Sequence, residues 1–186
     1  PDGAFDAPRS RGDLPLDYLA GTSAPQAYLE DLAARARDYA GFNLLLGDRH
    51  DLWYFSNSDQ RAPRSLPAGI YGLSTAALDT PWPKVELGKA RLGALLEKRE
   101  VSHEALATVV TDRTLANRDS LARLGLNGAM DPLLSAQFIV TETYGTRSST
   151  TLWLDRDARV HWRERGFDPA GLPLHDTREA FTLQTQ

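Results

Sequence analysis

An α+β fold built on antiparallel sheets is the class this sequence predicts, and three observations carry it. Residues 42–46 and 52–57 are apolar or aromatic runs joined by a short polar turn. Residues 146–154 and 159–165 alternate apolar with polar across the turn Asp155-Arg156-Asp157-Ala158. Helical periodicity is confined to blocks before and between these two stretches. Strands that return through hairpins pair antiparallel, whereas parallel pairing needs a crossover segment between each two strands. The order is helices, a strand meander, helices and a second meander, which argues against a doubly wound parallel sheet.

Composition sets outer bounds. With 186 residues, 41% hydrophobic and 25% charged, the chain is expected to form one domain over residues 1–186 with a real core. A formal net charge of −4 offers nucleic acid no electrostatic handle, and none is expected as a partner. The apolar run around Leu44-Leu45-Leu46 is far shorter than the roughly 20 residues a membrane-spanning helix needs. No charged-then-apolar leader opens these residues, so the expected location is cytoplasmic. Cysteine is absent, which removes disulfides, thiolate metal sites and a cysteine nucleophile from this chain. The chain opens on Pro1 and its single methionine is Met130, so a front segment is expected to be missing.

Taken in order, residues 1–10 read as a loop or frayed end, rich in Pro, Gly, Asp and Ala. Asp13 is expected as the N-cap of a short helix with Pro15 in its first turn, and Gly21 as its stop. A longer helix is expected over residues 26–40. There Tyr28, Leu32, Ala36 and Tyr39, with Leu29 and Ala33 beside them, share one face at helical spacing. Residues 42–46 read as a buried strand, 47–51 as a turn and 52–57 as the returning partner. Residues 58–67 carry two prolines and read as loop, and 69–74 as a third strand. Thr80 is expected to cap a helix carrying Val85, Leu87, Leu92, Leu95 and Leu96, and Ser102 a second one over 103–110. The polar segment 117–131 accommodates a short helix near Leu121, and residues 138–140 read as the next strand. After the second hairpin, Ala180-Phe181-Thr182-Leu183 reads as a closing strand.

One stretch carries candidate chemistry. Gly145, Thr146, Arg147, Ser148 and Ser149 surround a single arginine with small or hydroxylated residues immediately before a strand. Glycine lets another group approach the backbone, and a guanidinium offers a planar charged fork to a carboxylate or phosphate. The alternative for the same residues is a sheet-edge turn with a solvated arginine. Arg147 is expected at the strand start, directed between two sheets, with hydroxyl or carboxylate acceptors in reach.

Several motifs occur together in order. Tyr71-Gly72-Leu73-Ser74 followed by Leu78-Asp79-Thr80-Pro81-Trp82-Pro83-Lys84-Val85 resembles the central motif of the NRDE family, which includes the Transport and Golgi Organisation protein 2 proteins. Gly41-Phe42-Asn43-Leu44-Leu45-Leu46-Gly47 resembles its earlier motif, Tyr144-Gly145-Thr146-Arg147-Ser148-Ser149-Thr150 its later one, and Glu164-Arg165-Gly166-Phe167-Asp168 fits near the end. The resemblance implies an αββα four-layer sandwich of antiparallel sheets, N-terminal-nucleophile hydrolase-like and here N-terminally incomplete. It also implies that these residues are the later two-thirds of such a protein, since the family's opening Met-Cys and Asn-Arg-Asp-Glu are not among them.

In related choloylglycine-type hydrolases a terminal cysteine attacks an amide carbonyl while an asparagine amide stabilises the oxyanion. At the motif position of that asparagine this chain has Thr75, whose hydroxyl donates one hydrogen bond with shorter reach. Losing an oxyanion donor costs on the order of 100- to 1000-fold in rate. Arg147 matches the arginine such enzymes place near the nucleophile. The resemblance therefore nominates Arg147 and Thr75 as catalytic positions and Ser74, Ser148 and Asn43 as substrate-binding ones.

Two functions from different classes follow. One is a hydrolase-like pocket for a small amide or acyl ligand, a C–N hydrolase whose nucleophile this chain lacks. The other is a non-catalytic protein that binds or traffics haem, acyl-CoA or lipid. For haem, the axial-ligand candidates are His50, His103, His161 and His175, none with a supporting pattern. Oligomeric state is not legible.

Overall fold

The computed structural model describes residues 8–48, 50–59 and 61–183, and the expectations for residues 1–7, for Arg49 in the first turn and for Gln60 in the following loop lie outside them. The chain forms two compact units, Pro1–Gly69 with Leu73–Leu78, and Ile70–Gly72 with Asp79–Gln186. It is a mixed α and β protein with one antiparallel three-stranded sheet in each unit.

The first unit opens with α1 (Asp13–Ala20), whose cap position is held by Gly12 rather than Asp13 and which Gly21 ends, and α2 (Pro25–Ala34), which starts on a proline whose missing N–H costs nothing in a first turn. The sheet is β1 (Asn43–Gly47), β2 (Leu52–Ser56) and β3 (Arg64–Ser65), in that order. Leu14, Tyr28, Leu29, Leu32, Ala36, Tyr39, Phe42, Leu46 and Phe55 make one buried cluster. The helical face of α2 thus packs as its spacing requires, with Ala33 left exposed.

Three expectations change here. The second helix stops at Ala34 rather than near Ala40, and a 3-10 turn, Ala36–Asp38, follows. The Asn57 amide nitrogen takes up the carbonyls of Ala36 and Tyr39 at 3.0 and 3.2 Å, so these groups are satisfied without a longer helix. The run 42–46 is only half buried, with Leu46 inside and Leu45 41% exposed, because this strand has one covered face. Residues 69–74 are not a strand. The position beside β2 is held by Arg64 and Ser65, and the Gly72 N–H and C=O go to Asp79 instead of a ladder.

The second unit begins on α3 (Pro83–Lys98), then α4 (His103–Ala107), α5 (Arg118–Arg123) and α6 (Asp131–Leu134). Trp82, not Thr80, is the cap residue of α3, and Pro83 fills its first position. Ser102 caps α4 as its chemistry predicts, accepting from Ala105 N–H at 3.1 Å, but the helix ends at Ala107. Asn117 caps α5 in the same way. Residues 138–140 contribute only a bridge between Val140 and Gly145. The second sheet is β4 (Ser148–Leu154), β5 (Arg159–Phe167) and β6 (Pro173–Thr182). β6 is thus far longer than the closing strand expected at 180–183. Val85, Leu121, Ala136, Phe138, Val160 and Phe167 are the buried apolar residues of the second unit. No helix among the described residues is long and apolar enough to cross a membrane.

Candidate functional site

Asn43, Ser74 and Thr75 line one cleft of about 840 Å³ in the first unit, together with Arg11, Phe42 and Ser58. Leu14, Pro15, Leu44 and Leu73 supply apolar lining. Asn43 opens β1, and its amide is held from both ends. Tyr54 Oη donates to its Oδ1 at 2.6 Å, and its Nδ2 donates to the Ala76 carbonyl at 3.2 Å. Tyr54 is fully buried, and its hydroxyl also accepts from Leu78 N–H at 3.2 Å. A carboxamide has two N–H donors and two acceptor lone pairs, so one of each remains on Asn43. The hydroxyls of half-buried Ser74 and exposed Thr75 make no hydrogen bond to another described residue. Arg11 donates to the Gly41 carbonyl at 2.9 Å and has no carboxylate partner among the described residues. Nothing in the sequence singled out Arg11 or Tyr54. One sits in a loop and the other reads as an ordinary core aromatic.

Arg147 and Ser148 belong to the second unit. Ser148 is the first residue of β4, and Arg147 precedes it. Arg147 is exposed, and its guanidinium has no hydrogen-bond or ion-pair partner among the described residues. The neighbouring Thr146 Oγ1, expected to serve it, accepts from Ile139 N–H at 2.9 Å and does not meet Arg147. The Arg147 carbonyl accepts from Phe167 N–H at 2.9 Å, which fixes the entry into β4.

The histidines fall into different settings. Trp153 stacks with His161 at 4.6 Å between ring centroids and meets His103 at 4.5 Å. His103 Nδ1 lies 2.7 Å from Thr151 Oγ1, and His161 Nε2 lies 3.1 Å from Asp155 Oδ2. Burial pushes the His103 pKa down, and the Arg163 and Arg178 charges act in the same direction. The His175 ring lies over Gly166, in the space a side chain there would need, and His50 is exposed in the first turn. No group of three or more metal-ligating side chains occurs among the described residues. The cleft lining holds no His, Cys, Met or Tyr, so an iron porphyrin placed there would find no axial ligand in it.

The central motif has a structural role that its residues explain. Asp79 takes a left-handed backbone, φ 60°, and its Oδ1 accepts from Gly72 N–H and from Lys89 Nζ, both at 2.8 Å. A side chain on Gly72 would meet Val85 Cγ1 at 2.6 Å.

These are the features of a mixed α and β protein with two antiparallel sheets and an open, polar-rimmed cleft beside the first. A family profile described as Transport and Golgi organisation 2 matches residues 2–169. The chain is 33% identical over 194 residues to the Transport and Golgi organization protein 2 homolog of Bos taurus, covering 95% of this chain and 69% of that protein. It is 29% identical over 191 residues to the homolog of Homo sapiens and 28% to that of Mus musculus, with the same coverage. The chain belongs to the Transport and Golgi organisation 2 family.

Proposed function

We propose that the cleft of the first unit holds a small amide or acyl ligand, in a protein whose sheets are those of an N-terminal-nucleophile hydrolase-like αββα sandwich. The observation that supports this best is the Asn43 amide, locked by Tyr54 and Ala76 yet left with an N–H to give. A preorganised donor suits the carbonyl oxygen of an amide or thioester, because no reorganisation is needed when the ligand arrives. Ser74 and Thr75 add hydroxyls that donate or accept, and the apolar lining suits a short hydrocarbon tail. These residues contain no cysteine, so the role proposed for them is binding and orientation of ligand rather than the nucleophilic step. The part given to Arg147 and Ser148 rests on their motif alone.

The test is a titration with butyramide and butyryl-CoA followed by backbone amide NMR. Saturable shifts at Asn43, Ser74 and Thr75 are expected, with Asn43→Ala weakening binding about tenfold, or about 1.4 kcal/mol. Arg147→Ala with unchanged affinity would remove Arg147 from the site. Absence of saturable shifts with either ligand overturns the proposal.

A further inference from the structure

A cavity of about 100 Å³ in the second unit is lined by Lys84, Asp112, Leu115, Ser135 and Gln137 among others. Its polar groups are unevenly used. Lys84 Nζ donates to the Leu134 carbonyl at 2.8 Å and lies 5.3 Å from the Trp82 ring centre, with no carboxylate in ion-pair reach among the described residues. An ammonium has three donors, so two are unspent. Asp112 of the same lining is out of its ion-pair reach and pairs instead with Arg91 at 2.6 Å and Thr114 N–H at 2.7 Å. The Ser135 hydroxyl gives its one proton to the Pro132 carbonyl at 2.6 Å and accepts from Ala116 N–H at 2.8 Å. Gln137 Nε2 donates to the Lys84 carbonyl at 2.9 Å, which fixes which way the amide faces. Its Oε1 is buried and has no hydrogen-bond partner among the described residues. Buried acceptors are ordinarily satisfied, and a partly desolvated cation favours a counter-charge. Consistent with that desolvation, burial holds the Lys84 amine below the usual lysine range.

The lining thus includes a cation with spare donors and an acceptor in need of one. We propose that this cavity binds a small α-hydroxy or α-amino carboxylate, its carboxylate on Lys84 Nζ and its O–H or N–H donating to Gln137 Oε1. The volume is room for about three waters, which limits the ligand to two or three carbons.

The chain's three lysines, Lys84, Lys89 and Lys98, all lie on α3, which makes a clean competition experiment. Reductive methylation with formaldehyde and cyanoborohydride, read peptide by peptide by mass spectrometry, is run with glycolate or acetate. Glycolate is expected to slow modification of Lys84 about fivefold, the protection mass action gives at four times Kd. Lys89 and Lys98 serve as internal references and should not change. Acetate, which has no donor for Gln137, should protect less. In Gln137→Met, glycolate should do no better than acetate. Should that variant fail to fold, the contrast between glycolate and acetate in the wild-type chain decides alone. Equal Lys84 rates with and without glycolate, or equal protection by glycolate and acetate in the wild-type chain, overturn the proposal and leave a cavity suited to water.

Discussion

Arg163 sits on an alternating strand between His161 and Arg165, a pattern that reads as a solvated face, yet it is only 5% exposed. Its guanidinium grips Asp176 with Nε at 2.8 Å and a second, shorter bond from Nη2, and Nη1 donates to Glu104 at 2.7 Å. These bonds hold the Asp176 carboxyl down at about 2, below its ordinary 3.8. A carboxylate whose folded-state pKa is depressed contributes stability that is complete above the unfolded value and fades as pH falls through the folded one. The urea midpoint of the wild-type chain should therefore fall between about pH 4 and pH 2, and Asp176→Asn should flatten part of that slope. An unchanged slope would mean the pair contributes nothing. At neutral pH, Arg163→Met should lower the urea midpoint, because two carboxylates lose a shared donor. Legibility at this scale was divided. Asn43, Ser74 and Thr75, nominated through separate motifs, line one cleft. The motif around Arg147 gave its place before β4 but not its exposure, because exposure depends on tertiary neighbours.

At the scale of elements, hairpins were the most legible feature, since alternation and turn residues are local signals. Helix ends were less so where the stop is tertiary. No glycine or proline ends α2 at Ala34; the chain beyond it is held by Asn57, far along the sequence. That side chain also accepts from Phe42 N–H at 2.8 Å, so one amide ties the turn after α2 to the start of β1. Asn57→Ala removes an acceptor and a donor from partly buried backbone groups. It should cost about 2–3 kcal/mol, measured as a shift in denaturant midpoint at constant m-value. A loss below about 0.5 kcal/mol would show that water replaces the amide without penalty. The third strand of the first sheet was misplaced for a related reason. Pro63 and Pro67 read as loop, yet two residues between them suffice for an edge strand, where a missing N–H is tolerated.

The whole molecule poses the question of cooperativity. Each unit has its own buried apolar residues, which taken alone would predict separate unfolding. The path of the chain argues otherwise. Domain boundaries ordinarily fall at a single exposed linker, but here the chain passes between units after Gly69, after Gly72 and after Leu78. Those three passages lie in the stretch that carries the central motif, where Gly72 and Asp79 exchange hydrogen bonds on either side of residues 73–78. A segment so tied is a poor hinge, and opening one unit would strip partners from backbone groups of the same motif. We therefore expect one cooperative domain. Leu32, fully buried in the first unit, supplies the test. Leu32→Ala should cost about 2–5 kcal/mol through lost burial and the cavity left behind. In native-state hydrogen exchange, the slowest amides of β5 in the second unit should lose the same free energy of protection as those of β2 in the first. Loss confined to residues 8–69 and 73–78 would refute the single domain and make the two units independent folding bodies.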